Sequence, residues 1–225
     1  RYGLIGYRIG GFKLSLTIIA SFMFITFTGV LPQALLSIYL CGIAVIISVI
    51  LGASLGIWAA HNDKVSAFMR PINDTMQTMP SFVILIPFVM FFGIGEFTAL
   101  LAIIAYAFVP AMRYTEHGLR NLPETVIEAA RMIGCSQAQL LWKVKIPLAM
   151  PVIMLGLNQT IMFGLAMLVI AALVGTTGLG QLIYIGLSKA DFGTGMISGV
   201  SIALIAIIFD RTTQAWRIKL EKKTQ

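Results

Sequence analysis

Glu124 to Pro151 reads ETVIEAARMIGCSQAQLLWKVKIPLAMP. It is the longest polar-to-amphipathic interval in a chain that is otherwise nearly all apolar. Its local chemistry predicts two short helices meeting at a turn. Asn121 is expected to cap the first, with Pro123 near its first turn and Glu124 an acid at the positive end of the helix dipole. Gly134 is placed to end that helix in a left-handed conformation. Ser136 and Gln139 form a Ser-x-x-Gln capping box for a second helix, residues 138–145, which Pro147 is expected to stop. Glu128, Ala129 and Ala130 lie together, two small side chains beside one charge, so another protein's surface could approach closely. A solvated linker between spans would need less: two capped helices and an apolar face of Ile127, Ile133, Leu140, Leu141 and Trp142 that reads as buried. The interval is read as a folded loop offered to a partner.

The rest of the chain fixes the class. Of 225 residues, 58% are hydrophobic and 11% charged, with a mean hydropathy of +0.92. A soluble domain of this length must cover itself with polar groups, and this chain has too few. The composition predicts an all-α polytopic membrane protein. Cys41 lies in an apolar run and Cys135 in the polar loop, so no disulfide and no metal site is expected. A chain opening on Arg1 is expected to continue a longer one, with no cleavable signal.

About six spans are expected. The first covers residues 14–30, and the second covers 35–60, with Gly42, Gly52 and Gly56 as small packing positions. Residues 61–76 are polar. The third span, 80–92, contains Pro87, and the fourth, 97–112, carries Pro110 near its end. The fifth covers 148–174. Residues 175–195 form a Gly-rich excursion around LGQLIYIGL (179–187), and the last span covers 196–209. Six spans place fifteen Lys and Arg residues, from Arg1, Arg8 and Lys13 to Lys222 and Lys223, on one face and only Lys189 on the other. That asymmetry predicts cytoplasmic termini and a cytoplasmic loop. It makes the net charge of +7 a topology signal, not a nucleic-acid patch.

None of the nine acids is expected at mid-membrane, with Asp210 at the edge of the last span. This argues against a proton-coupled carrier or a membrane enzyme. Asn158-Gln159 is the strong mid-span polar pair. It reads either as helix–helix hydrogen bonding or, with Met162, as a polar point on a translocation path. Gly180, Gln181 and Tyr184 belong to the Gly-rich excursion, read either as an interfacial packing element or as an outer gate and docking segment. No G-x-x-x-x-G-K-[ST] occurs, so any nucleotide chemistry must come from a partner.

Glu128-Ala129-Ala130, Gly134 and Val144-Lys145-Ile146-Pro147 together resemble the EAA loop (121–147) of ABC-importer permeases. Residues 71–80 (PINDTMQTMP), Phe92-Gly93-Ile94-Gly95, 147–151 (PLAMP), Asn158-Gln159-Thr160, Gly178-Leu179-Gly180-Gln181 and Asp210-Arg211 extend the resemblance to the glycine betaine/proline ABC-importer permeases. The resemblance implies a type I importer fold with a five-helix core over 33–214. An added N-terminal helix would lie in 1–32 and a basic tail in 215–225. It also implies a second permease, a cytoplasmic ATPase dimer that binds ATP and Mg, an external substrate-binding protein and a bacterial or archaeal plasma membrane. The implied substrate is a compatible solute or quaternary amine: glycine betaine, proline, choline or trimethylamine oxide. The alternatives are an importer permease for another small polar solute such as amino acids, or a secondary carrier or channel. In this resemblance Glu128, Ala129, Ala130 and Gly134 meet the ATPase.

Overall fold

Pro32 stands in the first turn of a 31-residue helix, where its missing N–H costs nothing. That helix is α2 (Leu31–His61); α1 (Tyr2–Phe27) precedes it. The computed structural model describes the backbone of residues 2–224 and the side chains of 14–220. Arg1 and the side chains of Arg8, Lys13, Glu221, Lys222 and Lys223, used above in counting charge, lie outside the described residues.

The elements that follow are α3 (Asp63–Thr78), α4 (Ser81–Phe92), α5 (Glu96–Arg120), α6 (Glu124–Met132) and α7 (Gln137–Gln139). A π-helical turn, Leu140–Lys145, leads into α8 (Ile146–Ala171) and a 3-10 turn, Ala172–Val174. Then come α9 (Leu179–Ser188) and α10 (Phe192–Thr224). Among the described residues every regular element is helical.

Among the described residues four stretches are long and apolar enough to cross a membrane: Leu31–His61, Glu96–Arg120, Gln137–Val174 and Phe192–Leu220. A fifth is reached if α3 and α4, bent by 103°, count as one span. The count of six is not confirmed among the described residues. α1 is 26 residues long, and the side chains of its last 14, Leu14–Phe27, are described and apolar. Residues 61–76, polar in sequence, are ordered. They form most of an amphipathic helix, α3, whose N-cap Asn62 accepts hydrogen bonds from the Lys64 and Val65 backbone N–H groups. Met79 is extended, as the residue before a proline must be, and the chain turns there into α4.

Two clusters of buried side chains hold the bundle. Ala44, Leu85, Ala99, Ala102, Ile103, Met167 and Leu168 join α2, α4, α5 and α8. Ile25, Cys41, Val45, Ile161, Leu165, Leu179 and Ile205 join α1, α2, α8, α9 and α10. Small residues set the spacing. A Cβ on Gly52 would stand 2.6 Å from the Phe108 carbonyl oxygen, and one on Gly56 would stand 2.6 Å from that of Met112, so α2 and α5 touch backbone to backbone. Gly42 has nothing within 4 Å of the corresponding position and is not a packing glycine. The outward faces carry exposed large apolar residues, among them Tyr39, Ile50, Trp58, Phe91 and Met196, a surface suited to lipid or to other membrane helices.

Candidate coupling loop and polar ties

α6 ends as the sequence predicts. Gly134 has φ +85°, its N–H reaches the Arg131 carbonyl at 2.9 Å, and the Cys135 N–H reaches the Ala130 carbonyl at 3.2 Å. These are the two bonds of a Schellman close. The capping box is complete: the Gln139 N–H donates to Ser136 Oγ at 3.3 Å, and the Ser136 N–H donates to Gln139 Oε1 at 3.0 Å.

Three details differ from expectation. Asn121 does not cap α6. It closes α5 instead, its Nδ2 donating to the His117 carbonyl at 2.9 Å, and α6 follows Pro123 without a side-chain cap. Pro147 stops nothing: the second helix passes through the π turn directly into α8, with Pro147 in its first turn. A widened turn is where a proline's missing N–H is absorbed most easily. The apolar face is only partly covered. Leu140 is 1% exposed, but Ile133 is 84% exposed and Trp142 66%. Of the four residues assigned to partner contact, Glu128, Ala129 and Gly134 are exposed and Ala130 is buried under the loop. Met132, 89% exposed, adjoins them and belongs to the same surface.

Asn158 and Gln159 part company. Asn158 is buried, and its Nδ2 donates to Asp210 Oδ1 at 2.8 Å while its Oδ1 accepts from Thr213 Oγ1 at 2.6 Å. Gln214 Nε2 donates to both Asp210 oxygens at 2.8 Å. Asn158 is therefore one side of a knot between α8 and α10, the helix–helix alternative of the two readings. Gln159 and Met162 are half-buried on adjoining positions of α8.

Asp210, expected at the edge of the last span, lies inside α10. α10 runs well past Phe209, and Asp210 meets α8 near its midpoint, twelve residues after Ile146 and thirteen before Ala171. The i+3 and i+4 partners Thr213 and Gln214 were the available signal. Asp210→Leu should leave the Asn158 and Gln214 donors without an acceptor, at a cost of about 1–3 kcal/mol. Asp210→Asn, which keeps one acceptor oxygen, should cost less. Thermal unfolding of the two variants in detergent checks the order.

At the end opposite the loop, α9 is docked, not loose. The Leu179 N–H donates to Ser37 Oγ at 2.9 Å, and Thr177 Oγ1 donates to Glu96 Oε1 at 2.6 Å. A Cβ on Gly180 would meet the Leu168 carbonyl oxygen at 3.0 Å, and one on Gly186 would meet Gly195 Cα at 2.6 Å. These glycines let α9 pack closely against α8 and α10. Gln181 is half-buried and Tyr184 exposed. In the turn before α10, the Thr194 hydroxyl and backbone N–H hold the Asp191 carboxyl below the usual range.

A second polar tie, invisible to local spacing, joins α3 to α5. Arg120 reaches Asp63 at 2.7 Å, Glu116 at 3.1 Å and the Ala59 carbonyl at 2.7 Å. Arg113 pairs with Asp74 at 2.7 Å and with Gln77. Between the two helices lies a cleft of about 370 Å³ lined by Arg70, Asn73, Asp74, Arg113, Glu116 and His117, among others. Among the described residues no group of three or more His, Cys, Asp and Glu side chains is placed to hold a metal ion.

The family model described as "Binding-protein-dependent transport system inner membrane component" matches residues 48–217. The chain is 40% identical over 214 residues to the glycine betaine/proline betaine transport system permease protein ProW of Escherichia coli (strain K12), covering 95% of this chain and 60% of that protein. It is 43% identical over 218 residues to the trimethylamine N-oxide transport system permease protein TmoV of Pelagibacter ubique (strain HTCC1062), covering 96% of this chain and 30% of that one. Against the glycine betaine transport system permease protein OpuAB of Bacillus subtilis (strain 168) the identity is 39% over 212 residues, covering 94% and 74%. The chain thus spans less than two thirds of the first two relatives. In structure it resembles a chain of the MetNI methionine ABC transporter, with TM-score 0.75 and 18% identity over 82% of this chain and 93% of that one. An amino acid ABC transporter gives TM-score 0.70 and 18% identity over 87% and 98%. At that identity the likeness speaks to the fold alone, that of a type I importer permease.

Proposed function

This chain belongs to the family of binding-protein-dependent transport system inner membrane components, and from that premise we propose that it is the permease subunit of an ATP-driven importer for a compatible solute or quaternary amine. The substrate class follows the relatives' names: glycine betaine, proline betaine and trimethylamine N-oxide. The charge asymmetry supports placing both termini and the α6–α7 loop in the cytoplasm. A partner ATPase dimer would bind ATP and Mg there, a second permease would complete the path, and an external binding protein would deliver the solute.

The observation that carries this reading is the loop itself. Glu128 and Met132 on α6, Ile133 just past its end and Trp142 in the π-helical turn stand exposed, and that turn is continuous with α8. A rigid seat in an ATPase groove would convert ATPase closure into movement of α8. On the opposite face, Gly180, Gln181 and Tyr184 lie on α9, which would serve as the docked surface under the binding protein.

The test is reconstitution of the chain with its Walker-motif ATPase and its binding protein. Wild type should show solute-stimulated ATP hydrolysis. Glu128→Lys, which reverses an exposed charge without touching the core, should lose most of that stimulation while inserting normally. Failure of any ATPase to co-purify with wild type would overturn the reading.

A further inference from the structure

Arg120 sits where α5 hands the chain to the loop, four residues before Glu124. Its guanidinium is 28% exposed and uses three nitrogens on three elements. Nη1 meets Asp63 at the start of α3, Nε meets Glu116 one turn back on α5, and Nη2 donates to the Ala59 carbonyl at the end of α2. Glu116, 12% exposed, also accepts from Ser66 Oγ of α3 at 2.5 Å. The planar fork makes this possible; an ammonium is a point charge and cannot reach all three in fixed directions.

The surroundings give the tie a direction. α6 starts without a side-chain cap after the short link 121–123, so its nearest firm attachment on that side is Arg120. On the other side the loop is continuous with α8. Gly118 packs its Cα face against Ala149 and Val152 of α8, and Gly56 packs against Met112 and Thr115 of α5. Farther along, Arg113 holds Asp74 and Gln77, so α3 lies against α5 at two points before the bend into α4.

We infer that Arg120 is a positioning residue for coupling: it binds the root of the partner-facing loop to α3, so that loop movement drives the α3–α4 arm as well as α8. This rests on the coupling reading above and adds a second route to it. Without the tie, α6 would still pull α5 and α8, while α3 would be held to α5 only through Arg113 and the Ser66–Glu116 bond and would follow the loop less closely.

The experiment uses the reconstituted complex with its ATPase and binding protein. Arg120→Met keeps the aliphatic stem and removes every charged bond. It should leave ATPase co-purification, basal hydrolysis and the KM for solute unchanged, while roughly three- to tenfold more ATP is hydrolysed per solute imported. Spin labels at Lys64 on α3 and Thr125 on α6 should keep one distance in wild type between resting and vanadate-trapped states. In Arg120→Met that distance should change on trapping. Arg120→Lys, which keeps charge but loses the fork, should fall between and serves if the Met variant fails to fold. A wild-type ATP-to-solute ratio and an unchanged label distance in both variants, with the ATPase still bound, would overturn the inference. Loss of ATPase binding by wild type would instead overturn the coupling reading.

Discussion

Replacing both Gly52 and Gly56 by alanine should unfold or misassemble the bundle, although each change adds one methyl group. The added Cβ at Gly52 would lie 2.6 Å from the Phe108 carbonyl oxygen, 2.7 Å from Ala111 Cβ and 2.9 Å from the Met112 nitrogen. At Gly56 it would lie 2.6 Å from the Met112 carbonyl oxygen and 2.8 Å from Thr115 Cβ. Most of these atoms are backbone, so no rotamer change relieves the clash; α2 and α5 must separate. Overpacking of this kind costs about 1–3 kcal/mol per site. Separation would also stretch the Ser48 Oγ to Ile104 carbonyl hydrogen bond, 3.3 Å long, and the Arg120 tie to Ala59. Gly42→Ala is the control. Nothing lies within 4 Å of its Cβ position, and alanine is the better helix former by about 0.5–1 kcal/mol. Thermal unfolding in detergent should place Gly42→Ala at or above wild type and the double variant far below it. A double variant as stable as wild type would mean that the helices do not touch here.

That contrast marks one limit of the sequence. Gly42, Gly52 and Gly56 share one apolar run, and nothing in the run says which of them a neighbour approaches. Helix existence was legible, because apolar runs of this length leave few alternatives and because caps such as Ser136–Gln139 are local chemistry. The reach of helices was less so. Hydropathy falls at Asp210-Arg211, so the last span seemed to end at Phe209. The helix continues to Thr224, and Asp210 is bonded to Asn158 on another helix, 52 residues distant in sequence. The α3–α5 ties, Asp63 to Arg120 and Asp74 to Arg113, are hidden for the same reason.

The candidate site divides in the same way. Gly134 and the capping box were readable, since each is a statement about a few consecutive residues. Asn121 was assigned to the wrong helix because Asn before Pro-Glu suits an N-cap, while His117 four residues earlier offered the competing carbonyl that won. Amphipathicity identified Ile133 and Trp142 as apolar-face residues but could not say what covers that face. Among the described residues Leu140 is covered while Ile133 and Trp142 are not, which is what a surface awaiting a partner would look like.

Gly134→Val should abolish most solute-stimulated ATP hydrolysis and import, while Gly134→Asn stays close to wild type. No Cβ clash is involved, since nothing lies within 4 Å of that position. The cost is in the backbone alone: φ is +85°, where an ordinary L residue pays about 1–2 kcal/mol. A β-branched one pays more, and asparagine tolerates the region better than most. The Schellman bonds from Gly134 and Cys135 to Arg131 and Ala130 fix the angle at which α6 meets α7. If Val forces φ negative, those bonds break and α6, with Glu128 and Met132, changes its angle to the π-helical turn and α8. The loop is exposed and carries little of the core, so the bundle itself should unfold at nearly its wild-type temperature. Ala at 134, with one Cβ and no branch, should lie between Val and Asn. An activity order that follows side-chain volume with Asn as impaired as Val would sink the backbone argument, because it would mean that a partner packs directly on Gly134. Full activity in all three would remove the turn from the coupling path.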